Sequence, residues 1–270
     1  MSDPVVFWYE QKELKDPIAI IGFPSIGLVG SIMTSFMARE LKLPVVAGIT
    51  FPDVQQYTLI QEGNAYPPIR IHAGAVPKAR RKKKAKPAEG EETETPAEEV
   101  VKPAPKKRVK ARDLIIISSE LAPKPEQTYE FTQTLLNIVK EMGATQIIFL
   151  DGIPRMEQNT TVIGAYSNQE MRDLLKEAEV NTMDDGLIRG MSGVGIFQGK
   201  MDGTNTICLI SPAHPQIPDP RAASELVEPL QRIVPRLHLD PEPLVLEAEE
   251  IESRIRAQAQ QQMVNQNLYG

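Results

Sequence analysis

The first stretch that could do chemistry is GFPSIGLVG, residues 22–30, which joins a predicted strand to a predicted helix. Gly22, Gly27 and Gly30 could let backbone N–H groups face an anion at the N-terminus of that helix. The stretch lacks the Gly-Lys-Ser/Thr of a nucleoside-triphosphate loop and the G-x-G-x-x-G spacing of a dinucleotide site. The favoured interpretation is therefore a tight turn with close packing of the helix on the sheet.

Two further residues could take part in catalysis. Asp151, in FLDGIP, follows a long apolar run and lies where α/β sheets place functional residues. An acid at that position also caps turns well. Ser192, in RGMSGVG, is a poor nucleophile candidate because the G-x-S-x-G elbow requires glycine where Val194 stands. Asp151 is thus the best candidate for the acid or base of an enzyme.

Metal and redox chemistry have little support. The histidines, His72, His214 and His238, are scattered, and the sequence has neither H-E-x-x-H nor paired cysteines. The acids of residues 184–186 (DDG) are more typical of a turn than of a cation site. Cys208 lies in the apolar run TICLIS and is predicted to be buried as a small apolar residue. We expect no metal, no cofactor and no internal disulfide, and a reducing compartment.

The C-terminal residues Leu268, Tyr269 and Gly270 follow a polar, Gln-rich stretch. Leucine offers apolar surface for burial, the tyrosine ring adds a hydroxyl that needs a partner, and the terminal carboxylate can pair with a basic side chain. These three residues are predicted to bind a partner protein. The alternative is a frayed terminus without function.

The elements that must position these residues alternate between strands and helices. Predicted strands are PIAIIGFP, VVAGITF, TLIQEGNAY, IRIHAG, DLIIISSE, QIIFLDGIP, GVGIFQGK and NTICLIS. Predicted helices are GLVGSIMTSFMARELKL, EQTYEFTQTLLNIVKEMGA, NQEMRDLLKEAEV and AASELVEPLQRIVPRL. This order predicts a three-layer α/β/α sandwich with a mostly parallel sheet.

A charged segment, residues 77–112, interrupts the pattern with basic, acidic and again basic runs. It is too polar to offset its ordering entropy and is predicted to be a disordered insertion. Because strand-like runs flank it, we expect a hairpin whose tip has lengthened, within one domain of residues 1–240. A basic patch for nucleic acid or an acidic partner is the less favoured interpretation. With 30 basic and 36 acidic residues, the net charge of −6 does not favour nucleic-acid binding.

Residues 241–270 are predicted to form a long C-terminal helix and tail. Leu244, Ala248, Ile251, Ile255 and Ala259 recur every three or four residues and form one apolar stripe. The stripe suits packing on the same domain, pairing with another subunit, or an arm that presents the terminus.

The sequence predicts a soluble, cytoplasmic protein without membrane contact. The N-terminus has no basic region followed by an apolar stretch, as a secretory signal would. The longest apolar runs are far shorter than the roughly 20 residues needed to cross a bilayer.

Four motifs follow one another along the chain: GFPSIGLVGSIMTSFMAREL, NAYPPIRI, ISSELAPKPEQTYEFTQTLLNIVKEMGATQIIFLDGIP and GVGIFQGK. In this order they resemble the PAC2 family of proteasome assembly chaperones and their archaeal relatives. The resemblance covers roughly residues 17 to 240, apart from the charged insertion. It implies an α/β/α fold related to nucleoside phosphorylases, no known catalysis, and a role in forming the seven-membered α-ring of the 20S proteasome.

The same resemblance implies a role for the tail. Proteasome activators and some assembly chaperones end in a hydrophobic residue, tyrosine and any last residue, a motif that docks between neighbouring α-subunits. Leu268, Tyr269 and Gly270 match it position by position. Because one short tail binds weakly, we expect a homo-oligomer whose tails engage together.

Three functional hypotheses follow. The first is a non-enzymatic chaperone or adaptor that binds 20S α-subunits through its tail. The second is an enzyme of nucleoside-phosphorylase-like or carboxylate–amine ligase type, using the turn between Gly22 and Gly27 together with Asp151. The third is a scaffold whose basic arms in the insertion bind acidic partners.

Overall fold

The computed structural model describes residues 4–51, 58–61, 63–77, 111–156 and 160–254. Most of the charged insertion and the partner-binding residues Leu268, Tyr269 and Gly270 lie outside the described residues. The prediction of disorder and the docking role of the tail therefore stay predictions.

The described residues form eleven strands and six α-helices with named bounds, besides two short 3-10 turns. The strands are β1 (Val5–Trp8), β2 (Ile18–Gly22), β3 (Val45–Thr50), β4 (Leu59–Gln61), β5 (Asn64–Tyr66), β6 (Ile69–Ala75), β7 (Asp113–Ser119), β8 (Gln146–Pro154), β9 (Ile163–Tyr166), β10 (Asn181–Thr182) and β11 (Asn205–Ala213). The helices are α1 (Val29–Glu40), α2 (Thr128–Glu141), α3 (Gln169–Glu177), α4 (Gly190–Asp202), α5 (Pro220–Glu225) and α6 (Val227–Ile233). Residues 242–254 are also helical and are called the C-terminal helix below.

Nine of the described strands form one mixed sheet in the order β1-β3-β6-β7-β2-β8-β11-β9-β10. The centre, β7-β2-β8-β11, is parallel. The side that contains β1, β3 and β6 is antiparallel, and β9 also runs antiparallel to β11. Parallel neighbours need a crossover, usually a helix, whereas a hairpin connection makes neighbours antiparallel. The direct return of the chain from β6 to β7 accordingly makes an antiparallel pair, whereas α2 carries the chain from β7 to β8 in the same direction.

The strands on either side of the charged insertion form the predicted hairpin. β6 and β7 pair antiparallel, with Ile69 opposite Ser119 and Ala75 opposite Asp113. β4 and β5 form a second hairpin around Gly63, whose φ of 78° lies in the left-handed region that favours glycine. The hairpin prediction for β6 and β7 is confirmed, and the predicted strand TLIQEGNAY is two short strands joined by a turn.

Helices cover both faces of the sheet, which confirms the predicted layers. Along β2, Ile18 and Ile20 pack in a core with α1, α3, α5 and α6, which we call the first face. Ala19 and Ile21 point the other way into a core with α2 and the start of α4, the second face. Such strands, buried on both sides, are apolar at every position.

The prediction of a strand for GVGIFQGK is wrong, because these residues lie within α4. A Cβ atom on Gly195 would lie 2.2 Å from the Phe149 ring, and one on Gly199 would lie 2.6 Å from Thr206 Oγ1. Both glycines, four residues apart, therefore let this helix pack directly against β8 and β11. Tertiary packing here overrides the low helix propensity of glycine.

The described part of the C-terminal helix packs on its own domain. Leu244 and Ala248 are buried in the core of the first face. Arg221 Nε of α5 donates a hydrogen bond to Glu252 Oε1 at 3.2 Å. Of the three arrangements that the apolar stripe allows, packing on the same domain is therefore the one observed as far as residue 254.

Neither a membrane span nor a metal cluster occurs within the described ranges. No described helix has both the length and the apolar character to cross a bilayer. The described His, Cys, Asp and Glu side chains form no group of three or more that could hold a metal ion.

Candidate functional site

A cleft of about 710 Å³ opens at the carboxyl ends of the central parallel strands, and we call it the central cleft. Its walls are the ends of β2 and β8 with the segments that follow them, the start of α4, and the loop before α2. From β2 the chain leads to β3 on one side of the sheet, and from β8 it leads to β9 on the other. Open α/β sheets bind ligands at such a reversal of strand order.

Glycines allow the backbone segments around the central cleft to touch. A Cβ atom on Gly30 would lie 2.4 Å from Leu150 O, and one on Gly152 would lie 2.1 Å from Ile26 O. The N–H of Leu28 already donates to Ser25 O at 3.0 Å, within the turn. These contacts confirm that the glycine-rich turn packs the helix closely on the sheet.

Asp151 lies on β8 beside the central cleft and is partly buried. Its Oδ1 accepts a hydrogen bond from the Gly152 N–H at 2.8 Å. Burial raises the pKa of this carboxyl, against the opposing effects of the Ser192 hydroxyl, the Ser25 hydroxyl and the Gly152 N–H. Its neighbours are therefore neutral donors, and the ion pairs of the described residues do not include it.

Ser192 belongs to the first turn of α4 and is 5% exposed. Arg189 precedes the helix in extended conformation, and no side chain caps the helix start. Cys208 is fully buried on β11, as predicted, and burial followed by the charge of Asp151 raises the pKa of its thiol. The Ser192 hydroxyl is close enough to both groups to lower the pKa of each, against the effect of burial.

The histidines do not join this site. His72 is buried on β6, where its Nδ1 lies 3.1 Å from Leu43 O, and burial lowers its pKa. His214 follows β11, and its N–H donates to Asp219 Oδ2 at 2.9 Å. Neither is among the described residues that line the central cleft, and nor is His238. Ser192 therefore has no imidazole base among them.

The structure brings together residues that lie far apart in the sequence. The turn after Gly22 and Asp151, both proposed from the sequence, meet at one cleft. Ser25, Ser192 and Arg189 also line it. From the sequence, Ser192 was only a poor nucleophile candidate, and the side chains of Ser25 and Arg189 had no predicted role. The sequence did contain a signal for the helix that carries Ser192. Gly195 and Gly199 are four residues apart, a spacing typical of a helix face in close contact with its neighbours.

The raised pKa of Asp151 predicts a stability cost that depends on pH. The folded state holds the proton of Asp151 more tightly than the unfolded state does. The carboxyl therefore contributes to stability in full below its unfolded pKa of about 4, and this contribution disappears as the pH rises through the pKa of the folded state. Asp151→Asn should therefore increase the free energy of unfolding at neutral pH by about 1 kcal/mol. The gain over wild type should vanish near pH 4 in urea denaturation.

The control for this experiment is Asp185→Asn, the same change at an exposed residue outside the central cleft. It should leave the unfolding free energy unchanged within about 0.5 kcal/mol at both pH values. A loss of stability in Asp151→Asn at neutral pH would show that ionised Asp151 supports the fold.

Comparison with known proteins gives one family and several structures. The model of the PAC2 family matches residues 19–259. An uncharacterized protein of Methanocaldococcus jannaschii is 25% identical over 264 residues, which are 97% of this chain and 94% of the relative.

Two similar crystal structures come from Pyrococcus furiosus. PbaA, described as an archaeal homologue of proteasome-assembly chaperone, is 25% identical with a TM-score of 0.73, covering 97% of this chain and 94% of PbaA. PbaB, described as an archaeal proteasome activator, is 23% identical with a TM-score of 0.70, covering 95% of this chain and 99% of PbaB. The similarity thus extends over nearly the full length of each chain.

Proposed function

Because the chain belongs to the PAC2 family, we propose that it is a non-enzymatic proteasome assembly chaperone or adaptor of the cytoplasm. It binds α-subunits of the 20S proteasome, and Leu268, Tyr269 and Gly270 form the docking peptide. The observation that carries the proposal is the likeness to PbaA, over 97% of this chain with a TM-score of 0.73.

The position of the C-terminal helix is compatible with a docking tail. Leu244 and Ala248 hold the start of this helix on the first face, and the pair of Arg221 with Glu252 holds it one turn further on. Sixteen residues, 255–270, follow the last described residue of the helix. At roughly 3.3 Å per residue they could reach at most about 50 Å, so the tail has enough length to meet a partner beyond the domain.

Oligomerisation is part of the proposal. A flexible tail loses conformational entropy on binding, so a single tripeptide holds its partner weakly. Several tails on a homo-oligomer would engage several pockets of one ring and gain from a high effective concentration. We expect binding to a complete α-ring to be much tighter than binding to one α-subunit.

A second candidate function is an enzyme of nucleoside-phosphorylase-like or carboxylate–amine ligase type. The observation that favours it is the central cleft, where the turn after Gly22 and Asp151 come together. The turn is a weak anion site, however, because the Leu28 N–H donates to Ser25 O within the turn. The chaperone hypothesis therefore comes first.

Native mass spectrometry with proteasome α-subunits from the same source tests the proposed function. Deletion of residues 268–270 should remove the complexes that the full chain forms, and Tyr269→Ala should weaken them at least about tenfold because an aromatic anchor is lost. Adding one alanine after Gly270 should also weaken binding, since it displaces the carboxylate from its position beside the tyrosine.

Gln266→Ala provides the matched control, because it changes the tail but leaves the last three residues intact. It should bind like the full chain. Equal binding by the full and shortened chains would place the interface on the folded domain and reject the docking role of the tail. If neither chain binds, the chaperone proposal fails.

A further inference from the structure

The central cleft contains the carboxyl group of Asp151, to which the proposed function assigns no role. Its volume of about 710 Å³ lies within the range of small-molecule sites, roughly 300–1,000 Å³. Its position at the reversal of strand order is also where α/β sheets bind ligands. Both observations are independent of the tail and of any proteasome subunit.

The walls of the central cleft are mostly apolar. The polar side chains among its described lining residues are Ser25, Thr128, Asp151, Arg189 and Ser192. The others include Phe23, Phe149, Ile188 and Met191, which offer flat and flexible apolar surfaces. A ligand that fits these walls has an apolar body and few polar groups.

The polar groups of the central cleft determine which charge the ligand carries. A carboxylate can accept about four hydrogen bonds, and Asp151 Oδ1 accepts one from the Gly152 N–H at 2.8 Å, with the neutral hydroxyls of Ser25 and Ser192 nearby. The buried Oγ of Ser25 has no hydrogen-bond partner among the described residues, which leaves part of this capacity unused. Arg189 is exposed, so solvent screens its charge. A cation would complete the environment of Asp151.

From these observations we propose that the central cleft binds a small organic cation, an amine or amidine carried on an apolar body. The charged N–H groups bond to the Asp151 carboxylate, and the apolar body packs against Phe23, Phe149 and Met191. The charged hydrogen bonds fix the orientation of the ligand, and burial of its apolar body supplies the rest of the affinity.

Three planar probes of nearly identical shape test the charge preference: benzamidine is cationic, benzamide is neutral and benzoate is anionic. Binding to the full-length protein is measured by NMR titration up to about 10 mM, the range expected for ligands this small. Benzamidine should bind at least about fivefold more tightly than benzamide, since hydrogen bonds between charged groups are stronger than neutral ones. Benzoate should bind more weakly than both.

Variants locate the site. Asp151→Asn should abolish the preference for benzamidine over benzamide, whereas Asp185→Asn should retain it. Ala122→Trp, an exposed residue of the cleft wall, should weaken all three probes because the indole fills the opening. Circular dichroism and melting curves establish that each variant is folded.

The proposal is rejected if no probe binds, if benzamide binds as tightly as benzamidine, or if Asp151→Asn keeps the preference. Because the titration contains no proteasome subunit, these outcomes do not depend on the chaperone proposal. Tail-dependent docking together with an empty central cleft would reject this inference alone.

Discussion

Replacing Gly30 by alanine will destabilise the domain by about 3 kcal/mol, although alanine is the better helix former. A Cβ atom at this position would lie 2.4 Å from Leu150 O, 3.0 Å from Phe23 O and 3.1 Å from the Gly22 Cα. All three are backbone atoms, so no side chain can rotate away. The helix must move off the sheet instead, which disturbs the core of the first face.

Urea denaturation of Gly30→Ala and Ser31→Ala measures this effect in neighbouring residues of the same helix. The Ser31 hydroxyl is buried and has no hydrogen-bond partner in the described part of the chain, so its removal should be neutral or stabilising by up to about 1 kcal/mol. Opposite signs for the two variants would demonstrate the close contact. A stabilised Gly30→Ala would mean that helix propensity dominates and that the helix has room to shift.

Replacing Glu120 by glutamine will destabilise the protein by about 3 kcal/mol, because it leaves a buried cation without its counterion. Arg70 is 2% exposed on β6, and both of its terminal nitrogens bond to the Glu120 carboxylate, Nη1 at 3.0 Å. The Glu120 side chain is 41% exposed, so water can partly replace it, and the effect should fall at the low end of the range for buried pairs.

Thermal and urea unfolding of two further variants show how the effect of Glu120→Gln is to be interpreted. Glu250→Gln breaks an exposed ion pair with Arg254 and should cost less than about 1 kcal/mol. The double variant Arg70→Met with Glu120→Gln removes the buried charge and the Arg70 Nε, which has no partner within the described ranges, and should recover part of the loss. Equal effects of Glu120→Gln and Glu250→Gln would show that Arg70 remains solvated without its partner.

Much of the fold follows from local patterns in the sequence. The run QIIFLDGIP is β8 as predicted, and the apolar spacing before Gly143 predicted α2, which ends at Glu141. These elements are recognisable because apolar positions repeat with the period of the structure they form. The hairpin around the charged insertion was predictable for the same reason, since both flanking runs have the composition of strands.

The order of the strands could not be obtained in this way. β2 pairs with β7 and β8, which lie about a hundred residues or more further along the chain. Such pairings depend on how the layers pack together, and local periodicity does not contain that information. The antiparallel pairing of β3 with β6 and of the edge strand β1 with β3 consequently emerges only in three dimensions.

The candidate site shows the same division. The sequence by itself determined that the turn after Gly22 connects a strand to a helix and that Asp151 follows the apolar run of a strand, because neighbouring residues decide both. Only the tertiary structure placed Ser192 beside Asp151. Ser192 lies in α4, and the glycines of this helix allow it to pack directly against β8 and β11. The raised pKa of Asp151 arises from that packing, because burial is a property of the assembled layers.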